Sequence, residues 1–346
     1  MVPPPGATRA VASSASAAAI YVPMHAGIVA AGVPGAAPLS EAAVVELAAR
    51  FYDRMRREGR CQLQLALFAE DLLAPHSSRA PLATYPFNAM RNRALLMATT
   101  EAVLCLDIDM LVSASLAAEV SSSEGWAALQ QQLDAGAAVV LPAFETRHDV
   151  NGQLALQEGR ALAFEAAAGD KASVLERWHA GDVYPFKVSE YWPAYGPTDY
   201  QRFKGAADYY AIEYIEEFEP YAIMARRHTP WYDERFRRYG YDKAGHVKSF
   251  VAWGGRLVVH PRAFTVHIPH ARSPSYNAAF RPQSEADMQR RAELLQLMDQ
   301  MKAEVQAGSF LPVTAFAAER CMAERQLEEA RLRHAANPQL QPHSEL

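Results

Sequence analysis

A short apolar run that ends in two aspartates is the feature of this sequence that most restricts its fold. The segment from Ala102 to Leu111 reads AVLCLDIDML, so Asp107 and Asp109 follow apolar residues and are separated by a single isoleucine. A run of this kind suits a strand that helices cover on both faces, as in an α/β sheet. Open α/β sheets bind ligands beyond the carboxyl ends of their strands. We therefore expect both aspartates at a ligand-binding edge, where they can hold a divalent cation beside a diphosphate.

The Asp-x-Asp pattern alone is weak evidence for a metal site, because roughly one chance match is expected in a chain of this length.

Composition excludes several classes of partner. The chain has 346 residues, of which 50% are hydrophobic, and its formal net charge is −5, which suits one large or two modest globular domains. It has no basic stripe or acidic tail, so nucleic acid is not an expected partner. Its three widely spaced cysteines argue against a disulfide framework or a zinc site.

The first 40 residues are predicted to form a flexible or targeting-like leader. No Asp, Glu, Lys or Arg occurs between Arg9 and Glu41, and Ala, Ser, Gly and Pro dominate this stretch. Pro and Gly are too frequent for a membrane-spanning helix. A plain flexible leader, or an incomplete N-terminus, is favoured over a targeting peptide. Within the leader, AIYVPMH at 19–25 is predicted as a first strand.

Downstream of the leader, apolar periodicity predicts alternating helices and strands. The predicted helices lie at 39–57, 86–99, 114–135, 284–305 and 315–336, and the predicted strands at 61–68, 102–111 and 137–145. The order strand, helix, strand between 61 and 111 predicts neighbouring parallel strands.

The centre of the chain, from Tyr184 to Tyr241, combines many aromatic residues with carboxylates. Its densest stretches read EYWPAYGPTDYQRF, EYIEEFEPYAI and YDERFRRYGYDK. Aromatic faces beside carboxylates suit a sugar site, because pyranose rings have apolar C–H faces and polar rims. The alternative is an aromatic core with solvated charges, but the clustering favours the sugar site. Glu217 and Glu219 alternate in EEFEPY and are predicted to share one face of a strand.

Seven sequence motifs between residues 61 and 275 resemble those of glycosyltransferase family 49 in order and approximate spacing. They read YPFNAMRNRAL, LCLDIDML, LPAFE, GPTDYQRF, FEPYAI, DERFRRYGYDKAGH and VHIPHARS. The resemblance implies a GT-A type, Rossmann-like α/β fold with a mixed central sheet flanked by helices. It also implies a UDP-sugar donor, a Mn²⁺ or Mg²⁺ ion and inversion at the sugar carbon. The chain then divides into the leader (1–40), a GT-A glycosyltransferase domain (41–280) and a C-terminal helical extension (281–346).

The resemblance also names a metal site. Asp107 and Asp109 match the family's metal and nucleotide motif, and His267 matches its C-terminal histidine. Carboxylate oxygens with one imidazole suit Mn²⁺, which as a Lewis acid would stabilise the departing UDP. By itself, a histidine in an apolar strand is more often structural. His270 is the second choice for this ligand.

Three cationic or amide side chains are predicted to contact the donor. Arg91 and Asn92 match the family's Arg-Asn pair, and the arginine fork suits a phosphate or carboxylate. Lys243 is predicted to face the glucuronate carboxylate or a phosphate. The alternative for Arg91 is a charged side chain on the solvent face of a helix, and the alternative for Lys243 is an ordinary surface lysine. His246 and His260 are predicted to be neutral surface or packing residues.

An inverting transferase needs a base that removes the proton of the attacking hydroxyl. The candidates are Asp242, Glu219 and Glu217. Asp242 follows a Gly-aromatic turn, where many GT-A transferases carry their base, but the animal members of the family carry asparagine there. Glu219 is therefore the alternative, as base or acceptor clamp. Tyr195 replaces a histidine expected before PTDY, and the loop before YPFN is shortened, so the acceptor stays open.

The predicted function is transfer of a sugar, most of all glucuronic acid, from a UDP-sugar to a hydroxyl of a glycan or glycoprotein. Transfer of galactose, xylose or N-acetylglucosamine is one alternative, and a non-catalytic sugar-binding scaffold is another. A haloacid-dehalogenase-type phosphatase is disfavoured, because Leu111 occupies the place of its usual Thr or Val. The resemblance implies the Golgi or secretory lumen, with membrane association only through a leader or anchor that this sequence does not make evident.

Overall fold

The computed structural model describes residues 19–20, 41–58, 86–148, 154–237, 240–270, 284–314, 324–329 and 331–332. Its strands are β1 (Ala19–Ile20), β2 (Ala102–Leu104), β3 (Met110–Val112), β4 (Ala137–Leu141), β5 (Ala143–Thr146), β6 (Val183–Pro185), β7 (Tyr210–Ile212), β8 (Tyr221–Ala225), β9 (Arg256–Val259) and β10 (Thr265–His267). Its α-helices are α1 (Glu41–Glu58), α2 (Phe87–Met97), α3 (Ala114–Ser121), α4 (Ser123–Asp134), α5 (Leu156–Ala168), α6 (Lys171–His179), α7 (Trp192–Tyr195), α8 (Tyr200–Gly205), α9 (Asp242–Ala252) and α10 (Glu285–Gln306). Short 3₁₀ turns follow α7 at Gly196–Thr198 and β8 at Arg226–His228.

Two mixed sheets carry the described part of the chain. The larger has the strand order β1-β2-β8-β4-β9-β7, and the smaller has the order β3-β10-β5-β6. In the larger sheet β2 pairs parallel with β1, β4 pairs parallel with β9, and β8 runs antiparallel between β2 and β4. The predicted fold class, a mixed α/β sheet flanked by helices and consistent with a GT-A-like fold, is confirmed.

β4 shows why the central runs of this sequence are apolar without interruption. Ala138 and Val140 belong to one hydrophobic cluster, and Val139 and Leu141 belong to another on the opposite face. Both faces of the strand are therefore covered, and each of these four side chains is at most 1% exposed. A strand buried on both faces has no need of alternating polar residues.

The apolar run at 102–111 is not one strand, and this part of the prediction is wrong. β2 ends at Leu104, and β3 begins at Met110 and joins the other sheet. Between them the N–H of Met110 donates a 3.0 Å hydrogen bond to the carbonyl of Asp107, which closes a turn. Both aspartates of the run therefore lie in the connection between the two sheets.

Two other predicted elements are divided in the structure. The run at 137–145 breaks at Pro142, which has no N–H to donate to a strand ladder, so β4 and β5 enter different sheets. The helix predicted at 114–135 is interrupted at Ser122. The hydroxyl of Ser122 accepts a 3.0 Å hydrogen bond from the N–H of Gly125 and caps α4.

The prediction that Glu217 and Glu219 share a strand face is also wrong. β8 begins only at Tyr221, so both glutamates precede it. Glu217 has a φ of +70°, and the N–H of Phe218 donates a 3.1 Å hydrogen bond to the carbonyl of Ile215. A turn with left-handed backbone places the two side chains independently of any pleat.

The remaining elements match their predictions where the structure describes them. The helices predicted at 39–57, 86–99 and 284–305 are α1, α2 and α10. Residues 19–20 of the predicted first strand form β1, the predicted strand at 61–68 lies outside the described residues, and 324–329 are helical within the predicted helix at 315–336. Among the described helices, none has both the length and the apolar character that crossing a bilayer requires.

Two buried asparagines of α2 hold the segment that follows β8. Asn92 is 0% exposed; its side-chain oxygen accepts a 2.8 Å hydrogen bond from the N–H of Tyr232, and its amide donates one of 2.9 Å to the carbonyl of the same residue. Asn88 donates a 2.8 Å hydrogen bond to the carbonyl of Asp233. The ring of Tyr232 stacks on His246 of α9, with 3.8 Å between centroids. α2 thereby fixes the approach of the chain to α9.

We expect Asn92→Ala to lower the free energy of unfolding by about 3 kcal/mol, because the N–H and carbonyl of Tyr232 would stay buried without partners. Urea unfolding measures the loss. Leu96→Ala is the matched control, since Leu96 lies one turn further along α2 and is 45% exposed; it should change stability by less than about 0.5 kcal/mol. Equal losses in the two variants would contradict the anchoring role of Asn92.

Candidate active site

The connection between β2 and β3 is the centre of the candidate site. The first turn of α9 packs against it from one side through Lys243, and the end of β10 approaches from the other through His267. The turn before β8 brings Glu219 to the same region. Most of the residues predicted for the site are therefore close together, although they come from distant parts of the chain.

Asp107 lies between two cations. The Nζ of Lys243 donates a 2.7 Å hydrogen bond to its Oδ2, and a guanidinium nitrogen of Arg91 lies 3.7 Å from its Oδ1. The hydroxyl of Tyr221 donates a 2.9 Å hydrogen bond to Oδ2 as well. Burial raises the pKa of Asp107, but Lys243 and Arg91 outweigh burial and hold that pKa below its usual range. Asp107 is therefore a charged, oriented carboxylate.

Asp109, His267 and His270 form a cluster suited to a metal ion. The Nε2 of His270 lies 2.8 Å, and the Nε2 of His267 3.7 Å, from the Oδ2 of Asp109. One ligand atom from each of the three residues lies within 4.8 Å of the others. Burial raises the pKa of Asp109, but the two imidazoles outweigh burial and bring it well below its usual range. One carboxylate and two imidazoles are a donor set for Mn²⁺ or a similar divalent ion.

This cluster differs from the predicted ligand set in one residue. Asp109 and His267 are brought together as the sequence predicts, and His270, the second choice, joins them. The carboxylate of Asp107 is directed instead to Lys243 and Arg91.

Arg91 is buried rather than solvent-facing, and it connects three parts of the site. It is 5% exposed, pairs with the carboxylate of Asp242 and donates a 2.9 Å hydrogen bond to the Oδ1 of Asn88. Its guanidinium carbon lies 5.3 Å from the centre of the Tyr232 ring. The amide of Asn92, by contrast, is taken up by Tyr232 and by a 2.9 Å hydrogen bond to Glu234.

Asp242 and Lys243 are the first two residues of α9, and their side chains contact different partners. Lys243 binds Asp107 and lies 4.7 Å from the ring centre of Tyr221. Burial lowers the pKa of Lys243, but Asp107 and its other neighbours raise it well above its usual value. The carboxylate of Asp242 forms an ion pair with Arg91 and accepts a 3.3 Å hydrogen bond from the N–H of Gly240. The lysine is thus a half-buried, charged group whose side chain is only 17% exposed, and not a freely solvated surface residue.

Glu219, one of the three candidate bases, has an unusual acidity. Burial raises the pKa of Glu219 to about 7; nearby Lys243 opposes the rise, and Asp242 and Asp107 reinforce it. Its N–H donates a 2.9 Å hydrogen bond to the carbonyl of Ala194. A carboxyl group that titrates near neutrality is suited to accept and release protons.

Glu217 lies at the outer side of the same turn. Its carboxylate accepts a hydrogen bond from the hydroxyl of Tyr191. Burial raises the pKa of Tyr241, and the negative charge of Glu217 adds to the rise, which places the glutamate beside that ring. Glu217 is therefore a rim residue between two tyrosines.

Of the two places predicted for the neutral histidines, the surface or a packed position, the structure shows the packed one: His246 is 6% and His260 0% exposed. Burial lowers the pKa of His246 to about 3 and that of His260 to about 4. The Nε2 of His246 donates a 2.9 Å hydrogen bond to the carbonyl of Pro230. The Nδ1 of His260 accepts hydrogen bonds from the backbone of Arg262 and Ala263 at 3.1 and 2.8 Å.

Sequence reasoning missed Tyr221 and ranked His270 too low. Tyr221 stands in the quoted motif FEPYAI, but no pattern indicated that its hydroxyl would reach Asp107. His270 follows His267 by three residues across Pro269, and two imidazoles at that spacing were a signal for a shared ligand site.

Comparison with known proteins identifies a family model that matches most of the chain and several proteins with similar sequences. The family model described as "Glycosyl-transferase for dystroglycan" matches residues 48–306. Human "xylosyl- and glucuronyltransferase LARGE2" is 35% identical over 194 residues, which are 55% of this chain and 24% of that protein. The rat protein of the same name is 34% identical over 189 residues, 55% of this chain and 25% of that protein. The "glycosyltransferase-like protein gnt14" of Dictyostelium discoideum is 31% identical over 209 residues, 60% of this chain and 30% of that protein.

Proposed function

The chain belongs to the family of glycosyltransferases whose model matches residues 48–306, and on that premise we propose that it transfers glucuronic acid from UDP-glucuronate to a hydroxyl group of a glycan. The proposed reaction depends on a divalent metal ion and inverts the sugar carbon. The observation that carries the proposal is the Asp109, His267 and His270 cluster, together with Glu219 near Lys243 and Asp107, a carboxyl group whose pKa burial raises to about 7. A metal site that stabilises the departing diphosphate and a base that takes the proton of the acceptor hydroxyl are the two groups that a metal-dependent inverting transfer uses.

The donor sugar is supported by the resemblance and by the relatives' names. The curated vertebrate relatives are named xylosyl- and glucuronyltransferases, and the matched segments cover about a quarter of their length. UDP-xylose is therefore the second candidate donor. The charges of Arg91 and Lys243 suit a donor that carries two phosphates and a carboxylate.

The cluster fits Mn²⁺ better than Mg²⁺ in the chemistry of its ligands, since Mg²⁺ prefers oxygen ligands, whereas a carboxylate with two imidazoles is acceptable to Mn²⁺. A bound ion would stabilise the negative charge that develops on the departing diphosphate. Asp109, His267 and His270 are the proposed ligands. Asp107 stays a proposed donor-site residue, and its observed contacts with Lys243 and Arg91 support a role in orienting those cations.

Glu219 is the base that we propose. Its carboxylate would take the proton of the acceptor hydroxyl as the new C–O bond forms and the bond to UDP breaks. Asp242 is less suited to that role, because Arg91 and the N–H of Gly240 already bind its carboxylate. We propose that Asp242 positions Arg91, and that Asn92 supports the site through Tyr232 without touching the donor. The Golgi or secretory-lumen location stays a prediction of the resemblance.

A panel of donors tests the proposed function. The purified chain is incubated with UDP-glucuronate, UDP-xylose, UDP-galactose or UDP-N-acetylglucosamine, each with Mn²⁺ or with EDTA, and with methyl β-xyloside or methyl β-galactoside as acceptor. We expect Mn²⁺-dependent release of UDP from UDP-glucuronate. Release from another donor would keep the reaction type and overturn the donor. Absence of release and of binding with every donor would overturn the proposal in favour of a sugar-binding scaffold.

The metal site is tested by replacing Asp109 with alanine. Asp109→Ala removes the carboxylate that both imidazoles contact, so we expect loss of transfer and at least about tenfold weaker Mn²⁺ binding. Titration calorimetry with Mn²⁺ alone gives the affinity independently of turnover. The matched control is Asp134→Ala, because Asp134 lies on α4 and is 53% exposed. Wild-type turnover in Asp109→Ala would refute the metal site.

His270→Gln then separates the predicted from the observed ligand set. If His270 is a ligand, this variant loses Mn²⁺ affinity in the same titration. If its affinity equals that of the wild type, the set of Asp107, Asp109 and His267 is the correct one.

Glu219 is tested through the pH dependence of transfer. Because the base must be ionised, kcat/KM of the wild type should rise as pH increases through about 7. Glu219→Gln should abolish transfer, whereas Glu217→Gln should keep the same pH profile. If kcat/KM is constant between pH 5 and pH 8, or if Glu219→Gln keeps substantial turnover, Glu219 is not the base.

The same carboxyl group predicts a stability effect that does not depend on activity. Its native pKa of about 7 is above its ordinary value, so its contribution to stability is complete at low pH and is lost as pH rises through 7. Glu219→Gln lacks this loss. The difference in Tm, variant minus wild type, should therefore increase from pH 5 to pH 8.

A further inference from the structure

Two adjacent aromatic residues are exposed where α7 begins. Tyr191 is 48% exposed and Trp192 is 50% exposed. Single apolar side chains on a surface are ordinary, but large aromatic residues side by side are typical of binding surfaces. Tyr191 contacts Glu217 at the rim of the candidate active site, and Trp192 has no part in the site's metal cluster or its buried ion pairs.

The indole of Trp192 is held in place from beneath. It lies directly on Gly196, so that a Cβ at this glycine would overlap its Nε1, Cδ1 and Cε2 atoms. Gly196 has φ −59° and ψ −35°, a helical conformation that any residue adopts. Glycine is therefore required here by the indole and not by the backbone. One side of Trp192 packs on the chain while half of the residue stays open to solvent.

α7 is joined to both parts of the candidate site. The carbonyl of Ala194 accepts the 2.9 Å hydrogen bond from the N–H of Glu219. The ring of Tyr195, at the end of the helix, packs edge-on against Phe186 with 4.8 Å between centroids. Phe186 in turn lies 5.1 Å from the ring of His267. The exposed aromatic residues are thus carried by an element that contacts the proposed base and, through Phe186, a proposed metal ligand.

A carboxylate completes this surface. Glu217 accepts the hydrogen bond from the hydroxyl of Tyr191, and its left-handed backbone conformation turns it to that side. The surface therefore combines flat apolar rings with an anionic acceptor of hydrogen bonds. Those are the two groups that match the C–H face and the hydroxyl rim of a pyranose.

We infer that Tyr191, Trp192 and Glu217 form the subsite for the acceptor sugar. The exposed indole face of Trp192 stacks on the acceptor pyranose, and Glu217 accepts hydrogen bonds from its hydroxyl groups. The bound sugar is neutral, because Glu217 would repel an anionic ring. This inference rests on the proposed function, since it assigns the acceptor of the same reaction to the side of Glu219.

Acceptor kinetics test the subsite. With saturating donor and methyl β-xyloside as acceptor, Trp192→Ala should raise the acceptor KM by about tenfold, the loss expected for one aromatic contact. Trp192→Phe should have a smaller effect. Gly196→Ala should also raise the acceptor KM, although it keeps the indole, because the new methyl group displaces the ring.

Three controls isolate the effect. Phe164→Ala removes another exposed aromatic residue, 56% exposed and located on α5, and should leave the acceptor KM unchanged. Thermal melting of each variant identifies any loss of folding. The donor KM of Trp192→Ala should change by less than twofold, whereas a general disturbance of the site would raise the donor KM and the acceptor KM together.

Tryptophan fluorescence separates this inference from the proposed function. Methyl β-xyloside should change the emission of the wild type and not that of Trp192→Phe. If the wild type binds the xyloside in this way but consumes no nucleotide sugar, the transferase proposal fails and the pyranoside subsite stands. If the wild type transfers sugar while Trp192→Ala and Gly196→Ala keep its acceptor KM, the subsite is refuted alone. If neither signal is present, both proposals are refuted.

Discussion

Antiparallel pairing between β3 and β10 is the contact on which the candidate site depends. It sets Met110 opposite His267, and the carbonyl of Asp109 then accepts a 2.7 Å hydrogen bond from the N–H of Ile268. These backbone bonds fix the register, so the side chains of Asp109 and His267 meet where the strands end. If the pairing of β3 and β10 shifted by one residue, His267 would lie on the other face of the sheet, away from Asp109.

Buried charge is the second constraint at this edge. The side chains of Arg91 and Lys243 are 6% and 17% exposed, and each contacts a carboxylate, that of Asp242 and that of Asp107 respectively. An unpaired charge in such a position would be costly, so removing one member of a pair destabilises the chain more than removing an exposed charge. Their arrangement places two cations beside the β2–β3 connection, each paired with a carboxylate, and the two cations are the groups that would face the phosphates of the proposed donor.

Periodicity was a good guide where the pattern was long and a poor one where a single residue ended it. α1, α2 and α10 follow from their helical patterns, and β4 from its unbroken apolar run. Pro142 and Ser122 divide runs that periodicity treats as continuous. The alternation of Glu217 and Glu219 with an apolar residue predicts a strand where the structure has the turn before β8, because alternation in a short segment does not reveal a left-handed φ.

The sequence by itself determined which chemical groups this chain has and in which order. The Asp-x-Asp segment, the histidines after β10, the Arg-Asn pair and the carboxylates near β8 and α9 were all identified from residue types and motifs. Only the tertiary structure decided which of them meet. Asp107 and Lys243 are 136 residues apart, and Asp109 and His270 are 161 apart, yet each pair is in contact. Strand register and helix packing set those contacts, and separation along the chain carries no information about them.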